Sequence, residues 1–198
     1  MNSVLTERLK KETRKEHANT EGMMNAKAMF SDEYDLDVYT NHLLHLYKAH
    51  CIVNTYITVN KSVLPSLALL PEDRSLDLKN DLLNLHCDSL PSNFKIKDNS
   101  LFKTLPELLG LIYVVKGSEL GGNVIGKQIE KHRLKWDIPP AKFYKTVKHE
   151  DLMADWKAWS DKVNLIPCSE EFINASVNSA KRTFKLFGYP EQFGDFDQ

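Results

Sequence analysis

Three glycines fall within one short stretch of an apolar segment that otherwise reads as helix. Tyr113-Val-Val-Lys-Gly-Ser-Glu-Leu-Gly-Gly-Asn-Val contains Gly117, Gly121 and Gly122. Upstream, Thr104-Leu-Pro-Glu107 is a capping box with proline in the first turn, and it predicts a helix running to about Lys131. Each interior glycine costs ~1 kcal/mol of helix stability relative to alanine, so the cluster needs a compensating reason. Glycine permits a kink, or lets the backbone come close to another object. Gly117 and Gly121 are one turn apart and share a face. The spacing is compatible with close packing of a second helix, with a break at the Gly121-Gly122 pair, or with a bare backbone stripe lying flat against a planar ligand.

The rest of the chain is also helical by period. Leu5, Leu9, Thr13, His17, Thr20 and Met24 mark one face of a helix over residues 3–24. Ser31, followed by Asp32 and Glu33, predicts the N-cap of a second helix reaching about Val59, with Leu36, Tyr39, Leu43, Leu46, Tyr47 and Ile57 inside. Pro65 and Pro71 punctuate a loop before a third helix over 73–87, and residues 88–100 read as loop. Beyond Pro139-Pro140, a helix over 141–164, in one or two pieces, carries Phe143, Trp156 and Trp159. Ser169-Glu-Glu opens the last helix, with Phe172, Ala175, Ser179, Thr183, Phe184 and Phe187 on one face and Gly188 as its stop. No alternating run argues for a sheet, and residues 192–198 read as a frayed tail. The expectation is one all-α domain of about seven helices spanning residues 1–198.

Composition bounds the function. Of 198 residues, 42% are apolar and 27% charged, which is ordinary for a globular protein. The 26 basic and 27 acidic residues nearly cancel, so there is no overall positive field to draw in nucleic acid or an anionic membrane. Cys51, Cys87 and Cys168 are odd in number and far apart, which offers neither a disulfide framework nor a CxxC metal site. The start at Met1 lacks the apolar stretch of a signal peptide, and no apolar run is long enough for a membrane span. These features lead us to expect an intact, cytoplasmic, monomeric chain in a reducing compartment.

In the first helix, His17 shares a face with Leu9, Thr13, Thr20 and Met24, and Lys10 and Arg14 lie on its margin. Glu21, one turn on, can accept one imidazole N–H and so fix the tautomer of a metal-binding histidine. The bland alternative is a surface histidine with an i,i+4 partner. Elsewhere, His42 and His45 could share a metal, but these histidines read better as polar partners at the edge of the core. No nucleophile signature surrounds Cys51 or Cys87, so a cysteine enzyme on a similar helical scaffold is the weaker reading.

Taken together, Leu9-Lys-Lys-Glu-Thr-Arg-Lys-Glu-His17 with Glu21, the Tyr113–Val124 glycine segment and the Ala180…Thr183-Phe184…Phe187 stretch resemble the haem oxygenase family. The glycine segment is most similar to biliverdin-producing bacterial members associated with bacteriophytochromes. The resemblance implies an all-α fold with haem clamped between a proximal and a distal helix. It implies His17 as axial iron ligand, with Lys10, Arg14, Glu21, Tyr113, Lys116 and Phe184 around the haem. Gly117, Ser118, Gly121, Gly122 and Asn123 would form the distal, catalytic side. The implied reaction is O2-dependent cleavage of haem to biliverdin with release of iron and CO. Haem is both cofactor and substrate, and electrons come from an external donor such as ferredoxin or a flavin reductase, since the chain has no Rossmann fingerprint or iron–sulfur spacing. Ser118 stands where many members carry Asp, and Lys116 where the bacterial motif more often has Glu. Lys157 and Lys162 are weaker candidates for the haem propionates. A non-catalytic haem-binding protein and a di-iron enzyme on the same scaffold are the alternatives.

Overall fold

Thr13 splits the first predicted helix. In the computed structural model, which describes residues 4–197, α1 (Leu5–Glu12) buries Leu5 and Leu9, and α2 (Arg14–Met23) resumes immediately after Thr13. Thr13 is buried, and its hydroxyl donates to the Leu9 carbonyl at 2.7 Å beside its own N–H at 3.0 Å. A threonine that bonds back one turn in this way bends a helix.

α3 (Leu36–Asn60) begins later than Ser31 suggested. Asp35 is the N-cap, accepting the Val38 N–H at 2.8 Å, while Ser31 serves a preceding turn by accepting the Glu33 N–H. α4 (Ser75–Asn84) packs on α3. α5 (Leu105–Trp136) starts at the predicted capping box, with the Thr104 N–H donating to Glu107 Oε2 at 3.1 Å, and passes through all three glycines without a break. By length and composition α5 could cross a bilayer, but half of its apolar window is buried, and Leu108, Leu109, Leu111 and Ile112 belong to the core.

Residues 141–148, expected to be helical, are not. Asp81 of α4 accepts the N–H groups of Lys142 and Phe143 at 2.9 Å each, and Asn123 of α5 accepts that of Val147 at 2.9 Å. Side chains thus satisfy donors that a helix would have used internally. α6 (His149–Asn164) follows, and then α7 (Glu170–Gly188), capped as predicted by Ser169, which accepts the Phe172 N–H.

Two segments read as loop and frayed tail form an antiparallel ribbon. β1 (Phe94–Ile96) pairs with β2 (Gly194–Phe196), and the rings of Phe94 and Phe196 stack with centroids 5.7 Å apart. Asp197 accepts the Asn93 N–H at 2.7 Å, so the chain end is tied down through residue 197; Gln198 lies outside the described residues. Strands of three residues are too short to show an alternating pattern.

The centre of the fold is the pair α5 and α7. A Cβ at Gly110 would collide with the Ser176 carbonyl oxygen, and Ser179 donates its hydroxyl to the Glu107 carbonyl at 2.5 Å. Gly126 lies against the Tyr144 carbonyl in the same manner. Gly188 is not a left-handed stop; it ends α7 where a side chain would strike Met23.

The α3 histidines are core partners. His42 Nε2 is 2.6 Å from the Tyr144 hydroxyl, His45 Nε2 donates to the Phe187 carbonyl at 2.7 Å, and His50 is buried edge-on to Phe143 and Phe187. Burial, helped by the nearby His45, pushes His42 down to about 3; burial, helped by Arg74, pushes His50 down to about 4. Both are therefore neutral in the folded state at neutral pH. In the unfolded chain they titrate near 6.5, so below that pH the unfolded state binds two protons that the folded state refuses. Stability contributed by these groups is complete above pH ~6.5 and falls toward pH 4, at up to ~2.7 kcal/mol per pH unit. Urea midpoints at pH 7.5, 6 and 5 should show this decline, and His42→Gln should remove about half of the slope; an unchanged slope would contradict the burial of a neutral imidazole.

Candidate functional site

α1 and α2 run alongside α7 in the same sense. Arg8 pairs with Glu170 at the start of α7, and Thr20 donates its hydroxyl to the Phe184 carbonyl at 3.2 Å farther along. α5 lies on α7 in the opposite sense, with Glu107 and Gly110 facing Ser179 and Ser176. The two partners of α7 touch where the Tyr113 phenol meets Thr13. From that contact His17 is one turn along α2 and Gly117 one turn along α5. The opposed directions set His17 toward the C-terminal part of α7, beside Phe184, and Gly117 toward its N-terminal end, beside Trp156 of α6.

His17 is exposed. Its ring stands edge-on to Phe184, with centroids 5.5 Å apart and planes at 79°. Glu21 Oε1 lies 3.7 Å from Nδ1, close enough for a small side-chain rotation to make a hydrogen bond there and leave Nε2 as the ligand nitrogen. Lys10 and Arg14 are exposed on the same segment and make no ion pair among the described residues. The sequence-predicted group His17, Glu21 and Phe184 is therefore assembled, with Lys10 and Arg14 as unpaired cations on the same helical segment.

On the α5 side, the glycines differ from those that pack the core. An added Cβ at Gly121 would meet nothing within 4 Å, and at Gly117 and Gly122 it would make ordinary contacts at 3.9 Å with Trp156 and Tyr144. Alanine would fit at all three positions, and the helix is unbroken, so neither helix packing nor a kink accounts for them. α5 carries a strip of bare backbone whose neighbours, Trp156 at Gly117 and Tyr144 at Gly122, do not require glycine, and at Gly121 nothing approaches.

Other residues named from the sequence have partners within the chain. Ser118 is exposed, and its hydroxyl donates to the Val115 carbonyl at 2.7 Å. Asn123 is buried and is held by Val147, on another side of α5 from Gly121. Lys116 links α5 to α6 through Asp155 at 2.5 Å and also bonds Glu119 at 3.0 Å. Burial works against the Lys116 ammonium, but its bonds to Asp155 and Glu119 prevail and hold it above the usual lysine range. Its charge is thus spent between helices.

Sequence reasoning missed a cleft of about 490 Å³ between α1 and α6, lined by Thr6, Met153, Trp156 and Lys157 among others. The two tryptophans of α6 differ in role. Trp159 is core, its indole N–H donating to the Leu69 carbonyl at 3.1 Å, whereas Trp156 is half-buried between this cleft, Tyr113 and Gly117. Lys157 reaches the cleft and pairs with Asp161; Lys162 is exposed and does not line it.

The profile of the family described as "Heme oxygenase" matches residues 3–189. Among solved structures, the chain is similar to a haem oxygenase from Leptospira interrogans, at 20% identity over 94% of this chain and 97% of that one, with a TM-score of 0.71. It is also similar to a haem oxygenase from Neisseria meningitidis solved with NO and CO bound, at 19% identity over 93% and 88% of the two chains, with a TM-score of 0.66. Both show the same all-α fold. No curated protein matches the sequence.

The two classes of glycine make opposite predictions. Gly110→Ala should cost about 1–3 kcal/mol by overpacking against backbone. Gly121→Ala should stabilise the haem-free protein by up to ~1 kcal/mol through helix propensity. Thermal and urea unfolding of both variants tests this; a destabilised Gly121→Ala would mean that a neighbouring element does use the strip.

Proposed function

The chain belongs to the haem oxygenase family, and from that premise we propose that it cleaves haem to biliverdin with O2 and an external reductant, releasing iron and CO. The observation that carries this reading is the unused glycine strip of an unbroken α5, a helix that sacrifices stability at Gly117 and Gly121 without gaining packing.

The residues present suit haem. His17 would hold the iron through Nε2, with Glu21 accepting the hydrogen bond of Nδ1–H, which fixes the tautomer and makes the ligand nitrogen more basic. Phe184 walls the proximal side, and Tyr113 and Trp156 provide apolar surface between the helices. Lys10 and Arg14 take the propionates; their cations are unspent within the chain, and Arg can bind a carboxylate bidentately. Lys157 lines the cleft, but its ammonium is paired with Asp161. Gly117 and Gly121 let ligand and O2 approach the backbone, and the Ser118 oxygen, its O–H donating to the Val115 carbonyl, remains an acceptor for ordered water. Bound haem supplies the iron at which O2 is activated and is itself the molecule oxidised. We place the protein in the cytoplasm as a monomer, receiving electrons from ferredoxin or a flavin reductase.

The second reading, a haem binder without turnover, draws on the same residues. It is favoured by the absence of a carboxylate at position 118 and by the commitment of Lys116 to Asp155 and Glu119.

Hemin addition followed by ascorbate under air separates the two. We expect a Soret band that decays as biliverdin absorbance grows. A Soret band that persists overturns the enzyme and leaves the binder; no Soret band overturns both. His17→Ala should lose the axial-ligand spectrum and turnover and regain the spectrum with added imidazole, while Gly121→Leu should lower O2 affinity or hemin affinity by at least about tenfold, ~1.4 kcal/mol.

A further inference from the structure

A second cleft, of about 610 Å³, opens between α2, α7 and the segments on either side of the β-ribbon. Its size falls within the roughly 300–1,000 Å³ of small-molecule sites. Apolar surface comes from Leu101, Phe193 and the ring of Tyr56, whose hydroxyl donates to the Asp98 carbonyl at 2.8 Å. None of its lining residues belongs to the group around His17 or to the glycine strip.

The rim is charged and unbalanced. Lys97 is paired with Asp195 at 3.0 Å, and the Asp98 carboxylate accepts the Ser100 N–H and hydroxyl. Lys181, Arg182 and Lys185 make no ion pair among the described residues. Lys181 and Arg182 are half-buried, so part of their hydration is lost with no counter-charge gained. The acids beside the three cations are Glu16 and Asp98, which leaves positive charge in excess. Arg182 is close enough to the Tyr56 phenol and to Asp98 to favour the ionised form of each, which places its guanidinium over the floor of the cleft.

Spacing and lining select the ligand. Lys181 and Lys185 are one turn apart on α7, so their ammonium groups can share one carboxylate. Arg182 can take a second carboxylate bidentately. Beside them lies apolar and aromatic surface that an inorganic anion would leave uncovered. We propose that this cleft binds a conjugated organic dicarboxylate, the chemistry shared by a tetrapyrrole substrate and its linear product, at a site separate from His17. The identity of the ligand rests on the haem oxygenase reading; the charge and lining of the cleft do not. Glu16 precedes His17 in sequence, and Arg182 and Lys185 flank Phe184, whose ring touches His17. A tetrapyrrole held in the cleft is therefore adjacent to the iron site without occupying it.

The test titrates biliverdin into the full chain already loaded with one equivalent of ferric hemin, with no reductant, so that the His17 site is filled and no turnover occurs. Induced circular dichroism in the red band of biliverdin reports binding in an asymmetric site. We expect saturation at one biliverdin per chain. Lys181→Gln/Arg182→Gln should weaken binding by at least about tenfold while the Soret band of the hemin complex stays unchanged. Lys127→Gln/Lys131→Gln, the same charge change at exposed positions of α5, should stay within about twofold of the parent. Biliverdin dimethyl ester, the same body without the charges, should bind at least about tenfold more weakly than biliverdin. A second equivalent of hemin, titrated in the same way, separates the two sources: tighter binding of biliverdin assigns the cleft to product, and tighter binding of hemin assigns it to substrate. No saturable binding of either, equal affinity in the parent and the Lys181/Arg182 variant, an equal loss in the α5 control, or equal binding of the ester would each overturn the proposal. Failure of the first equivalent of hemin to bind would instead sink the functional reading, and would show itself before any biliverdin is added.

Discussion

The backbone approach of α5 to α7 at Gly110 fixes the geometry of the molecule. Without a Cβ at that position the Ser176 carbonyl can settle against α5, and the buried small residues Ser176, Ser179, Ala180 and Thr183 let the two helices stay close. Interiors are packed like crystals, so a spacing set at one crossing is transmitted to everything that rests on it. α1 and α2 lie along α7, and α6 lies along α5. The relative placement of His17 and the glycine strip is thus a consequence of how tightly these two helices meet.

Much of the helical framework was legible because its signals are local. Thr104 with Glu107, and Ser169 with its acidic first turn, each place a donor or acceptor where a helix end needs one, and the structure uses both as written. Where a competing partner is distant in sequence, the local signal fails. Ser31 is as good a cap as Asp35, and only the turn before α3 decides between them. Residues 141–148 have helical composition, but Asp81 lies about sixty positions away and takes their N–H groups. The β-ribbon joins segments about a hundred residues apart through strands of three residues, too short to announce themselves.

The glycines show the same division. Sequence spacing singles out Gly117, Gly121 and Gly122 because they are clustered, yet it cannot say whether a neighbour needs them. The glycines that neighbours do need, Gly110 and Gly126, stand alone and carry no pattern. Three-dimensional contact assigns each glycine a reason, or removes one, and the removal at Gly121 is what points outward from the chain. For charged residues, contact likewise separates Lys116, whose cation is consumed by Asp155 and Glu119, from Lys10 and Arg14, whose cations are not.

Net charge was the least informative of the sequence quantities, for a physical reason. A total of -1 excludes a long-range positive field, but the field that a partner meets within a Debye length is set by the few charges nearest to it. In this chain many cations are cancelled locally, as with Arg8 by Glu12 and Glu170, Arg74 by Asp77, and Arg133 by Glu130. That pairing leaves Lys181, Arg182 and Lys185 to dominate their own surface. A nearly neutral protein can therefore present a locally cationic surface where its cations outnumber the acids beside them, as Lys181, Arg182 and Lys185 of α7 outnumber Glu16 and Asp98.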